Sequence, residues 1–355
     1  MVNGTAIVLT NGGLKERHAK TAHGLLRGSQ RFTLMGIIDP EYAGKNTGDI
    51  FPELETHIPI FKAVSEAVEK LPQKPAFCII GVALHGGILP TSFRKEIIQA
   101  IKCGISIVSG LHTQINDDPE FHNLSQKYQV KLIDVRKPPP LEQRHFWSGE
   151  SLKIKTPRIA ILGMDCVIGK RTTGNLLRQI CEGHGIRTEF IYTGQTGWMQ
   201  GLKYGFVFDA TVNDFISGEI ERQIIQCYEE SHPDLILIEG QSSLRNPSGP
   251  CGSEFILSGN CKGVVLQHAP GRIYYDGMEE LKITIPAVEE EVDLIRYYGA
   301  KTLAITLNEE NISETQMKLC QQELQKKLSI PVVRPLNGEL PEILSVIRRF
   351  LKEYK

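Results

Sequence analysis

The shortages in this 355-residue chain exclude more than its abundances suggest. It has no basic surplus: 40 Lys and Arg stand against 41 Asp and Glu, a formal charge of −1. Proteins that grip nucleic acid need that surplus to displace counterions, so this class is excluded, while one basic pocket for a small anion is not. No apolar run reaches the ~18 residues that span a bilayer, so no membrane partner is expected. Residues 1–10 lack the basic start and small-residue cleavage site of a secretion signal. The eight cysteines (78, 103, 166, 181, 227, 251, 261, 320) form no CxxC pair. Zinc ribbons and dithiol redox centres are thereby removed, which leaves reduced, mostly buried thiols and no metal site. Nor is there a GxGxxG after the first strand, so the usual dinucleotide fingerprint is missing. What remains is ordinary: 41% hydrophobic, 23% charged and 7% aromatic residues. A cytoplasmic protein acting on a small molecule is expected; self-association into a homo-oligomer is left open.

At roughly 150 residues per domain, the length predicts two domains. Lys137-Pro138-Pro139-Pro140 breaks any helix or central strand, and the stretch to Pro157 is polar. The boundary is placed near residue 150, giving a Rossmann-like domain over 1–150 and a P-loop NTPase-like domain over 151–355. Both halves alternate short β-branched runs with helical stretches, the pattern of α/β domains with parallel sheets. Five strands are read in the first half: 5–10, 32–38, 76–82, 105–109 and 130–135. Six are read in the second: 158–162, 187–192, 235–239, 263–267, 301–307 and 331–333.

The most informative segment is Arg158-Ile-Ala-Ile-Leu-Gly163-Met-Asp165-Cys-Val-Ile-Gly169-Lys170-Arg171-Thr172-Thr173. An apolar strand runs into a loop, and Gly-Lys opens a helix. Loop amides, a helix N-terminus and a lysine together suit a phosphate. The segment resembles the Walker A loop, and Gly163, Asp165, Gly169, Lys170, Arg171, Thr172 and Thr173 are taken as the phosphate-binding set. Five residues separate the two glycines where four are usual, a longer loop resembling that of dethiobiotin synthetase and its relatives. Arg171 stands where a Ser or Thr hydroxyl would ligate magnesium, which favours a phosphate or pyrophosphate bound without that ion.

The strand Asp234-Leu-Ile-Leu-Ile-Glu239 resembles a Walker B strand. Ligands gather at the carboxyl ends of parallel strands, so Glu239 and Lys170 should face one crevice. Glu239 could orient a metal-bound water or serve as the base for an amine. By the same logic Thr193, Gly194, Gln195, Thr196 and Gly197 form a ligand loop after the second strand. Gly240, Gln241 and Ser243, with Arg245 further on, form another. Asn308 either reads an adenine edge, as its counterpart does in dethiobiotin synthetase relatives, or caps a helix. His268 and Arg272 follow the fourth strand, and a histidine there could exchange protons near neutral pH. Glu239, Lys170 and His268 are the catalytic candidates. In the first half, Asp39 occupies the place of a ribose-binding acid, but without the glycines that signal is weak.

Taken together, two sets of motifs resemble the family called domain of unknown function 1611, a Rossmann-like domain fused to a P-loop domain. The first set is Lys20-Thr21-Ala22, Leu25-Leu26-Arg27, Gly81-Val82, Gly86-Gly87, Ser109-Gly110-Leu111-His112 and Asp134-Val135-Arg136. The second is Gly163–Thr173, Thr193–Gly197 and Glu239–Gln241. Bacterial members are described as D-glutamate N-acetyltransferases acting beside a D-glutamate cyclase. The resemblance implies acetyl-CoA as donor and an acidic amino acid as acceptor. The other readings are an ATP- and magnesium-dependent ligase resembling dethiobiotin synthetase, and a nucleotide-responsive binding protein without catalysis.

Overall fold

The computed structural model describes residues 2–54 and 56–354. They form two compact units, one of the described residues up to Pro139 with Gln195–Leu202, the other of Pro140–Gly194 with the described residues from Lys203 on.

The first unit holds six strands: β1 (Gly4–Leu9), β2 (Phe32–Ile38), β3 (Ile60–Phe61), β4 (Phe77–Ile80), β5 (Ser106–Ser109) and β6 (Leu132–Asp134). They pair in parallel in the order β3-β2-β1-β4-β5-β6, the arrangement of a Rossmann-like sheet. Helices Thr91–Lys102 and Pro119–Tyr128 bury Phe93, Ile97, Ile101 and Phe121 against one face. Pro119–Tyr128 starts where its chemistry dictates: Asp118 accepts the amides of Glu120 and Phe121, and proline takes the first helical position. The other face is covered by Leu25, Leu26 and Met199 among others.

The second unit holds β7 (Arg158–Gly163), β8 (Thr188–Tyr192), β9 (Tyr204–Gly205), β10 (Leu235–Glu239), β11 (Gly263–His268), β12 (Lys301–Leu307) and β13 (Val332–Val333). These are also parallel, in the order β13-β12-β11-β7-β10-β8-β9. Every residue of β7 and β10 is buried, as expected of strands covered on both faces. Because β7 and β10 are hydrogen-bonded neighbours, the loop after one and the carboxylate ending the other emerge side by side.

Two expectations need correction. Five strands were expected in the first half and six form; the extra one, like β9, is a two-residue edge too short to show a pattern. Gln195–Gln200, read as part of a loop, is a helix, and it belongs to the first unit. Trp198 stacks under the Arg31 guanidinium at 4.2 Å, the Arg31 Nε donates to the Trp198 carbonyl at 2.7 Å, and Met199 is fully buried. No helix of the described residues is long and apolar enough to cross a membrane.

Candidate functional site

β7 delivers the loop 164–169, and the helix Lys170–Gly183 leaves from it. Two residues give the loop its curl. Gly169 has φ +100°, a conformation that glycine adopts without penalty, and Val167 sits at φ +53°, strained for a β-branched residue. Such strain persists only where the surroundings hold it, and here they do. Asp165, fully buried, receives the Cys166 amide at 2.7 Å, the Asp276 amide at 2.9 Å and the Arg272 guanidinium at 3.0 Å. Arg272 also donates to the carbonyls of Cys166 (2.8 Å) and Val167 (3.3 Å) and pairs with Glu310 at 2.7 Å. Asn308 donates from Nδ2 to the Ile168 carbonyl at 3.0 Å. Carbonyl oxygens are therefore drawn outward, and the amides turn the other way. Among the described residues, the N–H groups of Val167, Ile168, Gly169, Lys170 and Thr172 have no protein acceptor. A β-carbon placed on Gly169 would have Asn308 Nδ2 at 3.9 Å as its nearest neighbour, an ordinary van der Waals contact, so Gly169 is required by its backbone conformation and not by crowding. A run of unpaired amides leading into a helix N-terminus fits a phosphate group.

Lys170 completes it. Its ammonium donates to the carbonyls of Asp165 at 2.6 Å and Ser242 at 2.8 Å, and it is 8% exposed. Burial pushes its pKa below the ordinary lysine value, with Cys166 and Asp165 opposing. Gly163 lets this side chain pass, since a β-carbon there would lie 3.0 Å from Lys170 Cδ.

Across the cradle, Glu239 is 4% exposed. Its Oε2 receives the Thr193 amide at 2.9 Å, while Oε1 stands 3.7 Å from Arg171 Nη1, beyond hydrogen-bond reach. Gln241 donates to Thr193 Oγ1 at 2.8 Å, and that hydroxyl donates to the Glu239 carbonyl at 2.8 Å. A β-carbon on Gly194 would come within 4.0 Å of both Glu239 oxygens, so glycine keeps that approach clear. Gly240 is demanded by packing, because a β-carbon would lie 2.5 Å from the Ile161 carbonyl.

The structure thus brings Gly163, Gly169, Lys170, Arg171, Thr193, Gly194, Gly240, Gln241 and Glu239 to one strand-end region. Thr172 stands beside them in the first helical turn. Most other candidates lie behind the loop or away from it. Asp165, Arg272 and Asn308 hold the loop's shape from behind, and the Asn308 oxygen receives the Glu310 amide at 2.8 Å. The Thr173 hydroxyl donates to Gln267 Oε1 at 2.6 Å, as does Thr306 at 2.6 Å. Ser243 is buried; its carbonyl takes the Cys251 amide at 2.9 Å, and its hydroxyl has no hydrogen-bond partner among the described residues. Arg245 is bound to Glu290 and Glu291, both at 2.8 Å. Burial pushes the His268 pKa down to about 4, and its Nδ1 has no hydrogen-bond partner among the described residues. Gln195, Thr196 and Gly197 lie in the first unit. There Asp39 accepts Thr10 Oγ1 at 2.6 Å and the amides of Gly12 and Leu14, filling the place a ribose hydroxyl would take. Sequence reasoning missed Asn246, which donates to Asp165 at 3.3 Å, and the anchoring role of Gln267. A polar residue in a loop carries no mark of which way it turns.

Residues 145–344 match the family model described as the P-loop domain of DUF1611, and residues 40–138 match that of its Rossmann-like N-terminal domain. A protein named D-glutamate N-acetyltransferase from Pseudoalteromonas sp is 30% identical over 274 residues, spanning 75% of this chain and 80% of the relative. One of the same name from Tritonibacter scottomollicae is 27% identical over 279 residues, 76% and 81% of the two chains. The crystal structure of a DUF1611 family protein from Anabaena variabilis superposes with a TM-score of 0.87 at 26% identity, covering 99% of this chain and 100% of that one.

Proposed function

The chain belongs to the DUF1611 family, and from that premise and the cradle geometry we propose that it is an N-acetyltransferase moving acetyl from acetyl-CoA to the amine of an acidic amino acid. The observation that carries this reading is the pairing of unpaired loop amides with Arg171 and Glu239. Coenzyme A presents a pyrophosphate and a ribose phosphate, and Lys170 with the amides of 167–170 and Thr172 would hold one of them. The thioester supplies an activated acetyl group. Arg171 places a positive charge where a Walker A hydroxyl would otherwise ligate magnesium, and its guanidinium faces Glu239 at 3.7 Å. That arrangement suits an anion held by the protein's own charges and disfavours the ATP- and magnesium-dependent alternative.

An amine attacking a thioester must lose a proton and needs donors for the developing oxyanion. Glu239 suits proton removal, since one of its oxygens is fixed by Thr193 and the other, among the described residues, has Arg171 Nη1 facing it only at 3.7 Å. The Thr193 amide restrains the carboxylate, and the Gln241–Thr193 chain fixes the Glu239 backbone carbonyl beside it. Titration calorimetry of the full chain tests the reading. Acetyl-CoA should bind without magnesium, and Lys170→Ala should weaken it by roughly 10- to 100-fold, the worth of one charge-assisted bond. Glu239→Gln should lower the acetylation rate of glutamate about 10²- to 10⁴-fold with acetyl-CoA affinity retained. Binding of ATP only with magnesium, with no response to acetyl-CoA, would overturn it.

A further inference from the structure

The stretch ahead of β7, polar in composition, is no loose tether. Residues 141–154 lie along the helix Asn213–Ser231 of the same unit as a strap. Two buried carboxylates of that helix hold it. Glu221 accepts the Ser148 amide at 2.6 Å, the Ser148 hydroxyl at 2.8 Å and the Ser151 amide at 3.1 Å. Glu219 accepts the His145 amide at 3.3 Å. Toward its end, Arg158 donates to the carbonyls of Ser151 at 3.0 Å and Ile154 at 3.2 Å. Gly218 permits the close approach, since a β-carbon there would collide with the His145 carbonyl. Mostly backbone groups fix the strap, and its large apolar side chains stay outside.

Those side chains form one face. Phe146, 73% exposed, meets Phe215 of the helix edge-on, with ring centroids 6.4 Å apart. Arg144 lies over the same Phe215 ring at 5.7 Å, and its amide donates at 3.1 Å to the carbonyl of Leu141, 65% exposed. Trp147 and Leu152, 38% and 50% exposed, flank Gly149, where a β-carbon would lie 3.6 Å from the Trp147 ring and 4.0 Å from Leu152 Cδ1. Val212, 46% exposed, precedes the helix and accepts the Phe215 amide at 2.9 Å. Together these five residues expose roughly 500 Å², taking about 150–250 Å² for a whole aromatic side chain and somewhat less for an aliphatic one. A patch of that size is commonly functional. It also matches one partner's share of a standard interface, about 800 Å² of which about 60% is apolar. The rim carries both signs, Glu142, Glu150 and Asp214 against Arg144 and Lys153. An anionic lipid surface calls for an excess of base, which this rim lacks. A two-fold axis lets each sign on one copy meet the other sign on its mate.

We propose that this face joins two copies of the chain, strap against strap, in an isologous dimer. The dimer stands whatever ligand the phosphate loop takes. Sedimentation velocity of the full chain at tens of micromolar should show it, since interfaces of this area hold at micromolar concentrations or below. Phe146→Asp puts a charge at the centre of the face and should raise the dimer dissociation constant at least roughly 30-fold, the loss of one aromatic anchor. Leu152→Lys, nearer the edge, should raise it by a smaller factor. Both positions are exposed in the single chain, so both variants should keep the parent's circular dichroism. Leu281→Asp, at an apolar residue 71% exposed outside the strap, should leave the dimer intact. A monomeric parent would overturn the dimer, and if that monomer sediments with phosphatidylserine vesicles the face is a lipid contact instead. A dimer that survives both strap substitutions in folded protein would put the contact on another face. Equal weakening by Leu281→Asp would reduce the strap's effect to that of added charge in general.

Discussion

At the scale of single residues, His268 ties stability to pH. Its pKa is pushed from the ordinary histidine value to about 4 by burial, against the weak opposing pull of Glu289. The folded protein therefore holds a neutral imidazole through most of the acid range, while the unfolded chain takes up a proton near pH 6.5. Below pH 6.5 the unfolded state binds more protons, so stability falls as pH drops from 6.5 toward 4 and levels off beneath that. By pH 5 the loss from this one group should reach about 1–2 kcal/mol. Urea midpoints at pH 7.5 and 5.0 measure it, and His268→Gln should remove that part of the slope. An identical pH slope in the variant would show that His268 does not carry it. The same burial argues against proton exchange near neutrality, which leaves Glu239 as the stronger candidate for the base.

At the scale of elements, the helix Lys170–Gly183 has to sit close on the sheet if its first turn is to meet the loop. Gly174 makes that possible: a β-carbon there would lie 2.6 Å from Cε2 of Phe190, a ring 2% exposed. Two effects compete in Gly174→Ala. Alanine gains up to about 1 kcal/mol in helix propensity, whereas forcing an extra carbon into a packed core costs about 1–3 kcal/mol. The ring is enclosed and cannot yield cheaply, so the clash wins. A net loss of about 1 kcal/mol in urea unfolding is expected, together with weaker acetyl-CoA binding as the helix lifts. A variant more stable than the parent would mean that the ring moves freely.

The same elements show what could be read from the chain beforehand. Strands such as Phe32–Ile38, Leu235–Glu239 and Lys301–Leu307 were legible to the residue, because each is a short, mostly apolar or β-branched run, and in Leu235–Glu239 every residue is buried. Lys170 and Glu239 were legible for a related reason: strand ends of a parallel sheet share one edge. Gln195–Gln200 was not, since Gln-Thr-Gly-Trp-Met-Gln follows a glycine, contains another, and shows no helical period. Asp165, Arg272 and Asn308 were read as ligand groups and turn out to grip the loop's own backbone. A polar side chain beside a phosphate loop can face the ligand or the carbonyls behind it, and residue type is the same in both cases.

At the scale of the molecule, the first unit is not one continuous stretch of chain. Residues 1–139 lack a helix that the unit needs, and it is supplied by residues 195–202. Met199 is fully buried in the core beside Leu25, Leu26 and Val108, and the Gln200 side chain donates to the Gly24 carbonyl at 2.7 Å. Arg31 spreads over Trp198, and the Gln30 amide donates to the Gln200 carbonyl at 2.7 Å. Burial of a methionine contributes about 1.5–3 kcal/mol and a stacked arginine about 0.5–1 kcal/mol, less the entropy of ordering the segment. A fragment ending at residue 139 should therefore be less stable than the same fragment with residues 195–202 appended through a flexible Gly/Ser linker. The expected gain is roughly 1–3 kcal/mol in urea unfolding, and Met199→Ala in the appended segment should abolish most of it. Equal midpoints for the two fragments would mean that residues 1–139 already close their own core.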